Sequence, residues 1–283
     1  MLLKKIYLFL IPLLIFNIFS SCDNSANSND IGTLIIMLTD TPFPIDLIAE
    51  ANVTINKIEI REDQPELEDN PYLILSEEEY SFNLLDLQNG VTATLLEIEV
   101  PEGDYNLLRL YVSESNIKLK DGTIHDLKVP SGAQTGIKIF IKPGIHVEGG
   151  LTTELLLDFD VSQSFVVKGN PYTPAGIKGF NFKPVIRAMN VSISGSVSGK
   201  VIDNTFAALG DAYIWIEEGE YIYSSFSDEN GSYTIMAIPE GTYMVNATKK
   251  TTEVEYDTVF IENFKVVAGN VTQLEDIILT LQE

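Results

Sequence analysis

The chain has 283 residues, of which 45% are apolar and 10% aromatic, so it is long enough for two folded domains with substantial cores. Its formal net charge is −23 at pH 7. A surface of that sign repels phosphate backbones and anionic lipid headgroups, which argues against nucleic acid as a partner and against electrostatic docking to membranes.

Residues 1–21 are predicted to be a signal peptide. Two lysines in MLLKK precede an apolar stretch from Ile6 to Phe19, which is too short to cross about 30 Å of hydrocarbon as a helix. The small residues Ser20 and Ser21 then suit a cleavage site.

The only cysteine, Cys22, comes next, so no intrachain disulfide can form. The stretch FSSC resembles the lipobox of bacterial lipoproteins, although leucine is more usual where Phe19 stands. The resemblance implies that Cys22 becomes the lipidated N-terminus and anchors the protein to a membrane, a stable attachment when more than one acyl chain is present. The alternative is a plain signal peptide with an incidental cysteine.

Residues 22–31 then read as a flexible polar tether, DNSANSND. Its acidic residues Asp23 and Asp30 resemble the tethers of surface-exported lipoproteins from Bacteroidetes-type bacteria. The expected location is therefore the bacterial outer membrane, at the cell surface or on the periplasmic face.

Residues 32–189 alternate apolar and polar side chains at a period of two, which predicts strands. The strand segments are GTLIIMLTD, NVTINKIEI, TLLEIEV, YNLLRLYV, GIKIFIK, TELLLDFDV and FNFKPVIR. One short helix is predicted from Pro44 to Ala51, because proline suits the first turn. Strands and helices do not otherwise alternate, so the pattern predicts an antiparallel sandwich or barrel.

This first domain resembles the DUF4382 family of bacterial lipoproteins. The segments that carry the resemblance span the domain in order: GTLIIMLTDTP, NLLDLQNG, VPEGDYNLLRL, LKVPSGAQTGIKI, LLLDFDVSQSF and GFNFKPVIR. The family has no defined biochemical role, so the resemblance implies a fold and a setting without a mechanism.

One phrase occurs twice, as VPEGDYNL at residues 100–107 and as IPEGTYMV at residues 238–245. Proline presets φ for the second position of a type I turn and glycine suits its last position. Each phrase therefore predicts a strand, a tight turn and a returning strand.

Residues 194–281 form the second predicted domain, in which SDENGSY predicts a tight hairpin with Asp228 at the start of its turn and Gly231 in the left-handed conformation. The order of SGKVID, DAYIWIEEGEYIYSSF, SDENGSYTI, IPEGTYMV and LEDIIL resembles the carboxypeptidase regulatory-like domain, a prealbumin-like sandwich also classed as a carbohydrate-binding-like fold. The whole chain is thus predicted to be all-β, with two antiparallel β-sandwich domains in tandem behind a lipoprotein signal peptide.

Aromatic residues of the second domain form a candidate ligand-binding surface. In DAYIWIEEGEYIYSSF, a three-residue turn ending at Gly219 would set Trp215 opposite Tyr221 and Tyr213 opposite Tyr223. The small aliphatic positions usually face inward in the resembled family, so the four rings are expected outside, where flat rings can stack on sugars. The alternative is that they belong to the core or seal the contact with the first domain.

Asp158 and Asp160 are the best carboxylate pair, since residues two apart on a strand share a face. We expect an ion pair with Arg187, Lys183 or Arg109. The alternatives are a Ca²⁺ site completed by loop oxygens and the catalytic pair of a carbohydrate-active hydrolase.

The sequence therefore favours a non-catalytic envelope protein with no required cofactor. Its expected partners are the membrane, through Cys22, and a polysaccharide or another envelope protein. The GSVSG and S-x-x-K stretches lack the residues that their catalytic motifs need, and two histidines without a cysteine partner give no basis for a zinc centre.

Overall fold

The computed structural model describes residues 30–41, 47–64, 66, 70–129, 135–170, 176–219, 221–251 and 254–282. The predicted signal peptide and Cys22 lie outside these residues. Strands dominate the described part, which confirms the all-β prediction. The first domain contains β1 (Ile31–Thr41), β2 (Ile48–Glu62), β3 (Leu73–Ser76), β4 (Tyr80–Asn83), β5 (Ala93–Pro101), β6 (Gly103–Leu119), β7 (Ile124–Asp126), β8 (Ile137–Val147), β9 (Thr152–Asp160), β10 (Phe165–Gly169), β11 (Ile177–Phe182) and β12 (Ile186–Asn190).

Most of these strands form one long sheet in the order β3-β2-β6-β8-β12-β9-β1-β5, with β4 and β7 paired to β2 and β6. The two halves of the sheet bury their apolar faces in a single core, to which Leu34, Ile58, Leu108 and Leu157 contribute from four different strands. The strand pairs β1–β9 and β8–β12 are parallel, a feature that the local pattern did not predict.

The predicted helix at residues 44–51 is wrong where it can be checked. Residues 48–51 begin β2, which pairs with β6 from Ile48↔Leu119 to Glu62↔Tyr105. A short apolar run fits a helix or a buried strand equally well, and here pairing along a long neighbouring strand decides the outcome. A single turn of helix, α1 (Val161–Ser164), does follow β9, and 3₁₀ turns occupy Leu84–Leu87 and Val191–Ile193.

The second domain has its own core and two four-stranded sheets. Its strands are β13 (Ser194–Asp203), β14 (Tyr213–Glu218), β15 (Tyr221–Phe226), β16 (Ser232–Pro239), β17 (Gly241–Thr248), β18 (Val259–Val266), β19 (Val271–Gln273) and β20 (Ile277–Leu279). One sheet has the order β16-β13-β19 with β20 also on β13, and the other has the order β15-β14-β17-β18. Side chains such as Val197, Ile214, Val245 and Ile277 fill the space between them.

The repeated phrase is a corner in both domains. In the first, β5 pairs with β1 while β6 pairs with β2 and β8; in the second, β16 and β17 belong to different sheets. The tyrosine hydroxyl reaches back over each corner, from Tyr105 to the Pro101 carbonyl at 2.8 Å and from Tyr243 to the Pro239 carbonyl at 3.0 Å. The predicted turns are therefore confirmed, and each carries the chain away from its previous pairing partner.

The tight turn predicted in SDENGSY is confirmed, but the predicted hairpin is wrong, because β15 and β16 belong to different sheets and do not pair. The Asp228 carboxylate accepts the backbone N–H groups of Asn230 and Ser232 at 2.8 and 2.9 Å, and Gly231 has a φ of +77°. A β-carbon on Gly231 would lie 2.2 Å from the Val201 carbonyl oxygen, so this position requires glycine. The turn joins β15 to β16 and so connects the two sheets.

Candidate functional site

The outer face of the β15-β14-β17-β18 sheet carries part of the predicted aromatic surface. Tyr213 and Trp215 alternate with Ala212 and Ile214, which are fully buried, so the two rings point away from the core. Tyr213 and Trp215 stack at a centroid distance of 5.1 Å and an interplanar angle of 18°. The sequence thus predicted this pair correctly as neighbours on one outward face.

The predicted partners of these rings are wrong. Trp215 lies opposite Ser224 and Tyr213 opposite Phe226, whereas Tyr223 lies opposite Ile216. The register differs by three residues, because pairing continues to Glu218 and Tyr221, so the strands meet later in the chain than a turn at residues 217–219 would allow. An odd shift exchanges the two faces of a strand, so Tyr223 enters the core.

The corrected register also removes Tyr221 from this surface, because it shares the strand parity of Tyr223. Tyr221 remains 51% exposed at the turn end of β15. Burial raises the pKa of the Tyr223 phenol well above its usual value, as expected for a side chain packed in a core.

Other apolar side chains share the outer face with this pair. Phe226 lies 5.4 Å from the Tyr213 ring, and β17 and β18 contribute Met244 and Phe260. Phe260 is 57% exposed and is aligned with Trp215 through Asn246, which pairs with both residues. We call Tyr213, Trp215, Phe226, Met244 and Phe260 the ring face.

Polar groups border the ring face. The Trp215 indole N–H donates to the Glu217 carboxylate at 2.9 Å, and the Asn246 side-chain amide donates to the Trp215 carbonyl at 3.4 Å. The bond to Glu217 orients the tryptophan ring and leaves a carboxylate beside it. Partly exposed rings next to hydrogen-bonding side chains are suited to a ligand with both flat apolar and hydroxylated surfaces.

The ring face begins beside the contact between the two domains. Arg187, on β12, pairs with the Asp158 carboxylate, donates to the Ile222 carbonyl at 2.7 Å and lies over the Tyr223 ring at 5.2 Å. Asn89, also in the first domain, contributes a second link: its carboxamide oxygen accepts the Thr234 backbone N–H at 2.6 Å. The expected ion pair of Asp158 with Arg187 is thus confirmed.

Asp158 and Asp160 share the face of β9 opposite the core residues Leu157 and Phe159, but they serve different networks. Asp160 caps α1: its carboxylate accepts the Gln163 backbone N–H at 3.0 Å and the Ser162 hydroxyl at 2.6 Å. Among the described residues, no group of three or more acidic, histidine or cysteine side chains is arranged to hold a metal ion. The Ca²⁺ site stays a hypothesis.

A third carboxylate, Asp40, lies beside this pair, and sequence analysis missed it. Burial, followed by the charge of Asp158, raises the pKa of the Asp40 carboxyl well above its usual value. Its oxygens accept the Val161 backbone N–H at 3.1 Å and the Gln88 amide at 3.4 Å. The pattern LTDTP gave no signal for this, because β1 and β9 become neighbours only through a long-range parallel pairing.

A small cleft opens at this contact, with a cavity volume of about 20 Å³ and a lining that includes Asp40, Asn89, Asp158, Ser224 and Ala237. That volume is enough for a single water molecule. Residues 130–134 of the segment LKVPSGAQTGIKI and residue 220 of DAYIWIEEGEYIYSSF lie outside the described residues. Within the described part of the chain, no helix is both long and apolar enough to span a membrane.

The chain matches two family models: DUF4382, a domain of unknown function, over residues 31–184, and the carboxypeptidase regulatory-like domain over residues 196–280. Both predicted resemblances are confirmed. No match is found among curated proteins.

The similar solved structures include a mutant cohesin–X-dockerin complex from Acetivibrio cellulolyticus, with 28% identity over 30% of this chain and 56% of that chain and a TM-score of 0.24. They also include the minor pilin GBS52 of Streptococcus agalactiae, with 8% identity over 88% and 96% of the two chains and a TM-score of 0.27. The shaft pilin SpaA of Lactobacillus rhamnosus GG has 9% identity over 89% and 98% and a TM-score of 0.25. Since the DUF4382 model covers more than half of its length, the chain belongs to the DUF4382 family.

Proposed function

We propose that this protein is a non-catalytic, lipid-anchored protein of the bacterial cell envelope that binds glycan chains through the ring face of its second domain. The observation that carries the proposal is the stacked pair of Tyr213 and Trp215 on the outside of a sheet, in line with the exposed ring of Phe260. Flat, partly exposed rings held by hydrogen bonds suit the apolar faces of sugar rings.

Two features support binding rather than catalysis. The Asp158 carboxylate forms an ion pair with Arg187, and both oxygens of the Asp160 carboxylate accept hydrogen bonds from side chains of α1. A glycosidase needs two carboxyl groups that flank the substrate from opposite sides, whereas these two lie on one strand. The hydrolase alternative predicts that Asn substitutions at both positions abolish hydrolysis of a polysaccharide without unfolding the protein.

Binding is tested by affinity electrophoresis of a soluble chain beginning at Asp23 through gels that contain one neutral polysaccharide each. We expect Trp215→Ala and Phe260→Ala to remove the retardation that one polysaccharide causes. Tyr221→Ala is the matched control, because it removes an exposed ring from the same sheet without touching the ring face. Equal loss in Tyr221→Ala, or no retardation by any polysaccharide, would contradict the proposal.

Lipid anchoring is tested separately by fractionation of cells that express the full chain. We expect Cys22→Ala to move the protein from the membrane fraction to the soluble fraction, since the thioether-linked acyl chains can no longer be attached. Unchanged partitioning of the variant would refute lipidation at Cys22.

A further inference from the structure

The outer face of β8 in the first domain carries a cationic surface on an otherwise acidic chain. Ile139 and Ile141 are buried in the core, so Lys138, Phe140 and Lys142 point to solvent. Phe140 is 60% exposed, and the Lys142 ammonium lies 5.8 Å from the centre of its ring. An exposed ring therefore stands between two lysines on one face of one strand.

Two arginines extend this surface across the neighbouring strands. Arg109 of β6 lies directly opposite Lys138, and Arg61 of β2 lies opposite Leu107, the partner of Phe140. The guanidinium of Arg109 stacks over the Tyr72 ring at 3.7 Å, and that of Arg61 lies 5.5 Å from the same ring. Stacking on tyrosine limits the freedom of both side chains before any ligand arrives.

The charges of this surface are only partly neutralised. The Glu59 carboxylate pairs with Lys57 at 2.9 Å and with Arg109 at 3.3 Å, and it also accepts the Tyr111 hydroxyl. Within the described residues, neither Lys138 nor Lys142 forms an ion pair. Their Cα atoms are about 13 Å apart along the strand, so the two side chains can bind two anions of one extended ligand.

We propose that this basic face, formed by Arg61, Arg109, Lys138, Phe140 and Lys142, binds an acidic polysaccharide whose sugars carry carboxylate or sulfate groups. Cationic side chains form charge-assisted hydrogen bonds with such groups, and the exposed ring offers an apolar surface to the sugar. The net charge of −23 favours a thin, flexible ligand, because a membrane or a duplex would bring many anions against the acidic remainder of the surface. This site is independent of the ring face.

The test compares dextran sulfate with dextran, two polysaccharides of one backbone that differ in charge, and adds polygalacturonate as a carboxylated probe. Binding to the soluble chain beginning at Asp23 is measured by titration calorimetry at low salt. We expect dextran sulfate or polygalacturonate to bind and dextran not to bind to the basic face. The double substitution Lys138→Gln/Lys142→Gln should weaken binding about tenfold, and Phe140→Ala about fivefold.

The matched control is Lys168→Gln/Lys265→Gln, which removes two exposed lysines from other strands, and its affinity should equal that of the unmodified protein. The ring-face variant Trp215→Ala should also bind normally, so a failure of the glycan proposal above does not affect this result. Equal weakening by both lysine pairs would overturn the proposal, since attraction would then be unspecific. Tighter binding of oligo(dT), or self-association that Lys138→Gln/Lys142→Gln abolishes, would also overturn it.

Discussion

Replacement of Arg187 by methionine should strongly destabilise the protein at the contact between its domains. The side chains of Arg187 and Asp158 are 13% and 9% exposed, so the substitution leaves a buried carboxylate without its cation. Loss of one partner of a buried pair costs about 3–5 kcal/mol, and the methionine side chain retains most of the apolar packing over Tyr223.

The free energy of unfolding is measured by urea titration of the soluble chain, followed by Trp215 fluorescence for the second domain and by far-UV circular dichroism for both domains. The control is the double variant Arg187→Met/Asp158→Asn. Because it removes both charges, it should lose less stability than Arg187→Met alone. A loss below about 1 kcal/mol in Arg187→Met, or a double variant that loses the sum of the two single effects, would refute the reasoning.

Three further predictions use the same titrations. Burial raises the pKa of Asp40 in the folded protein, so the free energy of unfolding should fall as the pH rises from the usual value of 3.8 through the raised pKa. Asp40→Asn lacks this carboxyl group, so its free energy of unfolding should increase relative to that of the unmodified protein over the same range. A difference between the two proteins that does not change with pH would contradict this. Tyr105→Phe and Tyr243→Phe each remove the hydrogen bond across a corner, so each should lower the free energy of unfolding by about 0.5–1.5 kcal/mol. An unchanged free energy of unfolding in both variants would show that these bonds do not stabilise the fold. Gly231→Ala should lower the free energy of unfolding by more than about 1 kcal/mol, because alanine is strained at this positive φ and its β-carbon would clash with the Val201 carbonyl oxygen. An unchanged free energy of unfolding would contradict this.

Strands and turns were predictable because their signals are local. Alternation of side chains located the long strands of the first domain but not the short strands β3, β4, β7 and β10, and proline with glycine located the corners after Val100 and Ile238. Each of these predictions depends on neighbours within a few residues. The outward position of Tyr213 and Trp215 was instead implied by the resemblance to the carboxypeptidase regulatory-like domain, in which the small aliphatic positions usually face inward.

Pairing between strands was not predictable in the same way. The turn between β14 and β15 lies later in the chain than expected, and the resulting shift of three residues places Tyr223 in the core instead of on the proposed surface. Met244 and Phe260 joined the ring face because β17 and β18 pair beside β14, which no local pattern specifies. The parallel pairing that brings Asp40 next to Asp158 has the same long-range origin.

The central claim is that Trp215 belongs to a glycan-binding surface, and its own fluorescence tests this most directly. Trp215 is the only tryptophan of the chain, so emission and acrylamide quenching report on one site. We predict a ring that acrylamide can quench and whose emission shifts when one polysaccharide of a neutral panel is added. A protected ring with blue-shifted emission that no polysaccharide changes would contradict the account.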